Sequence, residues 1–234
     1  MISKIANFLF RKIIKISILK KKTLLQKFST IYKINYWSDS ESVSGPGSNE
    51  KNTKKLINKI NKIIKNYSVR SIVDAPCGDL NWMKNFLYKQ KIKYVGIDIV
   101  ANLIRLNKEK FSSNNISFYR SDITSKIIPD CDLLISRDFL FHLSYNDIKK
   151  FLKNLLKSNI KYFLTSNHFH PGYKKNFKNR DIISGDFRKI NLFESPFNFE
   201  KKYERIINDN CDGEKKYLIL FNKKQILRFL ENFH

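Results

Sequence analysis

The sequence predicts an α/β fold, a doubly wound and mostly parallel sheet, on two observations. From Ser71 onward, short apolar runs of strand length alternate with stretches patterned as helices. Each of the first three runs also ends at or beside an acid (Asp74, Asp98, Asp122), which loads one edge of the sheet with carboxylates. The chain has 234 residues, 42% of them hydrophobic, enough for one packed domain and an appendage.

Taken in order, residues 1–36 read as a basic amphipathic helical extension, with Ile2, Ile5, Phe8, Leu9, Ile13 and Ile16 at helical spacing and no acid. The segment is expected to pack on the domain as a lid with solvated lysine stems, and a membrane-surface helix is the alternative. WSDSESVSGPGSNE (37–50) follows, where Gly45-Pro46-Gly47 forces a turn. Over 50–66, Leu56, Ile57, Ile60, Ile63 and Ile64 share a helix face. Strands are expected at 71–75, 93–97, 116–120, 132–136 and 161–166, with helices at 80–89, 100–111 and 145–157 between them. Right-handed crossovers bring every strand's C-terminal end to one edge. YERII (203–207) and KYLILF (216–221) are separated only by a polar turn and predict a closing antiparallel hairpin. The expected domain is 37–234.

Lys and Arg number 45 against 21 acids, a net charge of +24. Only nine of those cations are Arg, the residue that planar phosphate and base recognition favours, so the charge alone assigns no nucleic-acid partner. Cys77, Cys131 and Cys211 lie far apart with no CxxC, as in a reducing compartment. Arg11, Lys12 and Lys15 interrupt any signal-peptide core, so a cytoplasmic protein is expected, with contact at the inner membrane face as its variant.

Asp98 stands 20 positions beyond Gly78, the interval at which a carboxylate meets a ribose diol beside the first turn. Asp122, after the third strand, is placed for an adenine edge. A pyrophosphate needs a glycine-rich turn with free N–H groups, whereas Ala75-Pro76-Cys77-Gly78-Asp79 has one glycine, a proline and an acid. A cationic adenosine without phosphate fits better, and S-adenosylmethionine has that chemistry.

VDAPCGDLNWM (73–83), GIDIV (96–100), SDIT (121–124) and LISRDFLFHLS (134–144) resemble the motifs of class I S-adenosylmethionine-dependent methyltransferases. WSDSESVSGPGS before the domain and NRDIISGDFRKINL (179–192) after it resemble, in order, a bacterial subgroup of that class. The subgroup's common Trp is Phe187 here, and residues 1–36 fall outside the resemblance. It implies a Rossmann-like sheet of about seven strands with the last antiparallel. It also implies that Asp74, Pro76, Cys77 and Gly78 hold the methionine end, Asp98 the ribose and Asp122 the adenine, with Ile99 and Ile123 among the cofactor-binding residues. Ser136, Gly45, Gly47 and Ser48 complete that cofactor set, the SGPGS backbone folding over the ligand.

For the acceptor, Arg137, Asp138 and His142 follow strand four and are the candidate catalytic residues, Asp138 and His142 being expected on one helix face. Arg180, Asp181, Asp186 and Arg188 are the candidate substrate-binding residues. His168-Phe169-His170 is a weak metal pair with no further ligand at suitable spacing, so no metal is expected. Terminal His234 carries no reading. The expected reaction is methyl transfer to a small molecule or glycan, without a stable nucleic-acid partner. The alternatives are an RNA methyltransferase, an NAD-dependent oxidoreductase or epimerase lacking the usual glycines, and a non-catalytic basic module binding membrane or RNA.

Overall fold

The computed structural model describes residues 2–88, 91–173, 177–211 and 213–232, with side chains from Leu9 to Leu230 within those ranges. His234 lies outside them. Seven strands form one sheet: β1 (Ser71–Asp74), β2 (Lys93–Asp98), β3 (Ile116–Arg120), β4 (Cys131–Ser136), β5 (Ile160–Asn167), β6 (Arg205–Asn208) and β7 (Tyr217–Asn222). Their order is β3-β2-β1-β4-β5-β7-β6, with β7 antiparallel to both neighbours and the other pairs parallel. Chain order reverses between β1 and β4, so the first and fourth strand ends flank the switch point where such sheets bind ligands.

Alternation along the strands sorts the core onto two faces. Val73, Val95 and Leu134 meet α6 (Tyr145–Lys157) through Ile148, Phe151, Leu152 and Leu155. On the same side is α7 (Lys223–Asn232), with Ile226 and Phe229 buried. Ile72, Tyr94 and Leu133 meet α3 (Glu50–Asn66) through Leu56, Ile60 and Ile63 on the other face. Each such buried aliphatic or aromatic side chain contributes roughly 1.5–3 kcal/mol. Helix α5 (Ala101–Phe111) links β2 to β3.

The N-terminal segment forms α1 (Ile2–Leu19) and α2 (Leu24–Lys33). Thr23 starts α2 with a capping box, its hydroxyl accepting from the Gln26 N–H while Gln26 Oε1 accepts from the Thr23 N–H.

Two expectations are corrected. The 80–89 helix shrinks to α4 (Lys84–Leu87), because residues 79–83 are turn, Leu80 is left-handed (φ 60°), and 89–90 lie outside the described residues. The hairpin closes the sheet as expected, and a helix the sequence reading did not assign, α7, follows it. Asp138 and His142 do not share a helix: Asp138 is left-handed (φ 55°), Leu140–His142 is a 3-10 turn, and α6 starts only at Tyr145, capped by Ser144.

Candidate active site

A cavity of about 420 Å³ opens at the C-terminal edge of the sheet. It gathers Asp74, Pro76, Cys77, Gly78, Asp98, Ile99, Asp122 and Ile123 from the first three strand ends. Gly45, Gly47 and Ser48 come from the preceding loop, and Arg137, Asp138 and His142 follow β4. Ser136 does not reach it, being fully buried with its hydroxyl donating to the Ala75 carbonyl (2.7 Å).

Burial governs the two inner acids. Asp74 Oδ2 accepts from the Tyr94 hydroxyl (2.8 Å), while Oδ1 has no hydrogen-bond partner among the described residues. Desolvation pushes this carboxyl up to about 7, against the lowering effects of Tyr94 and the Arg137 charge. Asp98 is raised to about 6, again by burial. Its two oxygens accept from the Gly78 N–H (3.1 Å) and the Val100 N–H (2.9 Å), so it holds the first turn as well as facing the cavity. Asp122 closes a turn on the Thr124 N–H and hydroxyl (2.9 and 2.7 Å).

Asp79 clamps the loop ahead of the domain. Its carboxylate takes the Ser42 and Ser44 hydroxyls and the Val43 N–H, at 2.8, 3.1 and 3.0 Å. Gly78 makes this approach feasible: it is left-handed (φ 57°), and a Cβ there would stand 2.3 Å from Ser44 Oγ. Within 45–48 the Gly45 and Ser48 N–H groups are spent on the loop itself and Pro46 has none, so the Gly47 N–H alone is left for a ligand.

Behind Gly47 lies a buried charge cluster. Arg137 grips Asp209 with two hydrogen bonds of 2.9 Å and donates to the Gly47 carbonyl (2.8 Å). Lys216 reaches both oxygens of Asp138 and also Asp209. Two cations thus balance two anions. Burial disfavours a charged Asp138, but the adjacent Arg137 and Lys216 charges win and hold it well below the usual carboxylate range.

His142 Nδ1 lies 2.8 Å from the Asp186 carbonyl, so Nδ1 carries the proton and Nε2 stays an acceptor. The ring sits between Trp37 and Phe141, at 4.7 and 4.6 Å, and burial lowers it to about 4.

None of the four candidate substrate-binding side chains lines the cavity. Asp181 accepts from the Tyr145 N–H at the start of α6, and Arg180 is exposed. Arg188 is buried, donating to the Leu143 carbonyl over the Tyr145 ring. Asp186 bonds Lys15 of α1 (2.6 Å) and serves the site through its backbone carbonyl. Phe187 between them does line the cavity. So do Leu24, Phe28, Ile31 and Tyr32 of α2, which puts part of the 1–36 extension in the wall of the site.

By sequence Asp79 counted only as an acid unfavourable to phosphate, and Lys216 and Asp209 went unread. The last two bracket the hairpin turn, where antiparallel pairing makes them neighbours: the Asp209 N–H donates to the Lys216 carbonyl (2.8 Å). That bracketing was the available signal.

Residues 72–158 match the sequence profile of a family described as a methyltransferase domain. The chain matches no curated protein. Among solved structures, it is similar to the methyltransferase domain of bacterial CtHen1 (15% identity, 73% of this chain and 98% of that one, TM-score 0.54). A S-adenosylmethionine-dependent methyltransferase from Clostridium acetobutylicum is similar at 14% identity (72% and 91%, TM-score 0.53). The magnesium protoporphyrin IX methyltransferase of Synechocystis, solved with its methyl donor bound, is similar at 10% identity (86% and 84%, TM-score 0.50). These likenesses establish a class I methyltransferase fold. With the profile match, residues 72–158 form a methyltransferase domain, and the donor bound to the Synechocystis enzyme is S-adenosylmethionine, a sulfonium cation. The donor set fits that cation: a buried acid with one oxygen unpartnered among the described residues, a second buried acid at the end of β2, and no glycine-rich phosphate turn. No helix among the described residues is long and apolar enough to cross a membrane, and no cluster of three or more metal-ligating side chains occurs among them.

Proposed function

We propose that the enzyme methylates a hydroxyl oxygen of a small molecule or glycan. The observation that carries this reading is one cavity joining the strand-end acids to His142, whose acceptor nitrogen has no hydrogen-bond partner among the described residues. The order of SGPGS, DAPCGD, RDFLFHLS and NRDIISGD supports the bacterial subgroup named above. On this reading Asp74 takes the ammonium of the cofactor, Asp98 the ribose diol and Asp122 the adenine edge. Pro76, Cys77 and Gly78 shape the turn beneath the methionine end, and Gly47 offers its N–H to the carboxylate. Bound S-adenosylmethionine supplies an electrophilic methyl group.

The chain's own residues position the acceptor and take its proton. His142 is the base, fixed in its tautomer by the Asp186 carbonyl. Asp138 and Arg137 hold the loop: a carboxylate paired with both Lys216 and Arg137 is a poor proton acceptor. Calorimetry with S-adenosylhomocysteine and with NAD tests the cofactor half; tight NAD binding without a response to the adenosyl ligand would sink it. A screen of sugars and small hydroxylated metabolites for release of S-adenosylhomocysteine tests the acceptor half, where turnover only on amines or RNA would refute it.

A second reading concerns location, a cytoplasmic enzyme in peripheral contact with anionic membrane. Arg11 and Lys15 of α1 turn inward, to the Ser38 hydroxyl (2.8 Å) and to Asp186, while Leu9, Phe10, Ile13 and Ile16 are exposed. An outward apolar stripe on a helix without acids suits a lipid interface. Sedimentation with phosphatidylglycerol vesicles, and not with phosphatidylcholine vesicles, is the expected result.

A further inference from the structure

Two neutral histidines of opposite tautomer stand in the wall of the same cavity. Phe141 packs on both, 4.6 Å from the His142 ring and 4.9 Å from His168, and Phe187 lies 5.9 Å from each. Backbone groups set the tautomers. A carbonyl at His142 Nδ1 requires a proton there and leaves Nε2 an acceptor. At His168 the Ile190 N–H donates to Nδ1 (3.2 Å), so the proton sits on Nε2 as a donor. Neither Nε2 has a protein hydrogen-bond partner among the described residues. Arg137 and Lys216, the Lys and Arg side chains among the described lining residues, are already matched by Asp209 and Asp138. An anionic acceptor group therefore finds no free cation, whereas a hydroxyl beside a second oxygen finds both an acceptor and a donor.

We infer that His142 and His168 form a complementary clamp for a neutral acceptor with two adjacent oxygens, a vicinal diol or hydroxy-carbonyl, with His168 as the specificity-determining donor. This deepens the methyl-transfer reading and rests on it. The acceptor O–H donates to His142 Nε2, and the neighbouring oxygen accepts from His168 Nε2–H. On transfer the hydroxyl oxygen's lone pair forms the O–CH3 bond, the S–CH3 electron pair stays on sulfur, and the hydroxyl proton passes to His142 Nε2. The imidazolium then returns that proton to water. A methylated oxygen still bearing its proton is a strong acid, so a ring of lowered basicity suffices to take it.

The test uses the full chain saturated with S-adenosylhomocysteine and reads imidazole 15N shifts at pH 7. His142 should show an Nδ1 proton and His168 an Nε2 proton; matching tautomers, or a charged ring, overturn the clamp. Catechol and methyl glucopyranoside then serve as adjacent-oxygen probes, and resorcinol as the separated control. At least one adjacent probe should move both Nε2 signals and bind about tenfold or more tightly than resorcinol. No binding by either, equal binding of the control, or movement of one ring alone refutes the proposal. His168→Gln, which keeps an N–H at the ε position, should retain probe binding, and His168→Leu should lose about tenfold with S-adenosylhomocysteine affinity unchanged. Equal loss in both variants also refutes it. Failure of the wild-type chain to bind S-adenosylhomocysteine would instead count against the methyltransferase reading itself.

Discussion

Asp138 meets Lys216 through both carboxylate oxygens, each 2.6 Å from the ammonium nitrogen. Ser166 adds a hydrogen bond of 2.9 Å to Oδ1, and Arg137 lies 3.4 Å from Oδ2. A carboxylate so engaged has little lone-pair capacity left and little proton affinity. Gly47 packs close against it, since a Cβ there would stand 3.0 Å from Oδ2. The SGPGS loop thus rests directly on the charge cluster.

Asp138→Asn is therefore expected to lower turnover by less than about tenfold, whereas loss of a true general base costs roughly 10²–10⁴-fold. Asp209→Ala should act on stability instead, because it strands Arg137 and Lys216 in a buried site. Urea unfolding should register about 3–5 kcal/mol for that variant. A drop of a hundredfold or more in the Asp138 variant would restore it as the base.

His142→Asn keeps an amide N–H for the Asp186 carbonyl but removes the acceptor nitrogen. Turnover should fall roughly 10²–10⁴-fold with cofactor affinity intact. The active form is the neutral ring, whose pKa burial lowers to about 4. At saturating cofactor the wild-type kcat should thus hold level from pH 8 downward and decline only as pH approaches 4. An acid limb centred near 6.5 would mean an exposed, unperturbed histidine.

How much of this was legible in the sequence depended on the range of the interactions. The strands read as expected because apolar runs bounded by polar turns carry their own signal, and β2 and β4 came within a residue of the expected ends. Asp74, Asp98 and Asp122 were legible for the same reason, sitting at strand ends. His142 was found, but its orienting group was not, since the Asp186 carbonyl 44 residues away leaves no mark on residue type. Lys216 and Asp209 were hidden likewise, their charges reaching Arg137 and Asp138 only once β7 closes beside β5. Helix α7 went unread although Ile226 and Phe229 share its buried face.

Asp74 makes cofactor binding pH-dependent. Its carboxyl is raised to about 7, so below that pH it holds a proton that a bound ammonium must displace. Affinity for S-adenosylhomocysteine should fall by up to about tenfold per pH unit as pH drops from 7 towards 5, with Asp98, raised to about 6, adding its share. The sign for stability is opposite. A raised carboxyl pKa means that the folded state binds more protons, so the ligand-free protein should lose stability as pH rises through 4–7 on account of these two groups. Calorimetry in buffers of differing ionisation enthalpy should detect proton release at pH 6, and Asp74→Asn should remove most of it.

The N-terminal extension gives the last prediction. All cofactor motifs begin at Trp37 or later, which by sequence makes residues 1–36 dispensable. The fold divides the segment differently. Leu24, Phe28, Ile31 and Tyr32 of α2 line the cavity, and the Tyr32 hydroxyl accepts from Asn102 Nδ2 (2.7 Å) at the start of α5. Among the described residues helix α1 puts no side chain in the cavity wall; its Lys15 meets Asp186 and its Arg11 the Ser38 hydroxyl. Deleting residues 1–20 should therefore leave S-adenosylhomocysteine affinity within about fivefold, because a half-exposed ion pair such as Lys15–Asp186 is worth about 1 kcal/mol or less. Deleting residues 1–36 removes an apolar wall of four side chains as well and should weaken binding by about tenfold or more. Tyr32→Phe separates the two contributions: it keeps the wall, breaks the Asn102 contact, and should cost about 1 kcal/mol. Equal affinity of the 1–36 deletion and the full chain would show that α2 covers the cavity without contributing to the bound state.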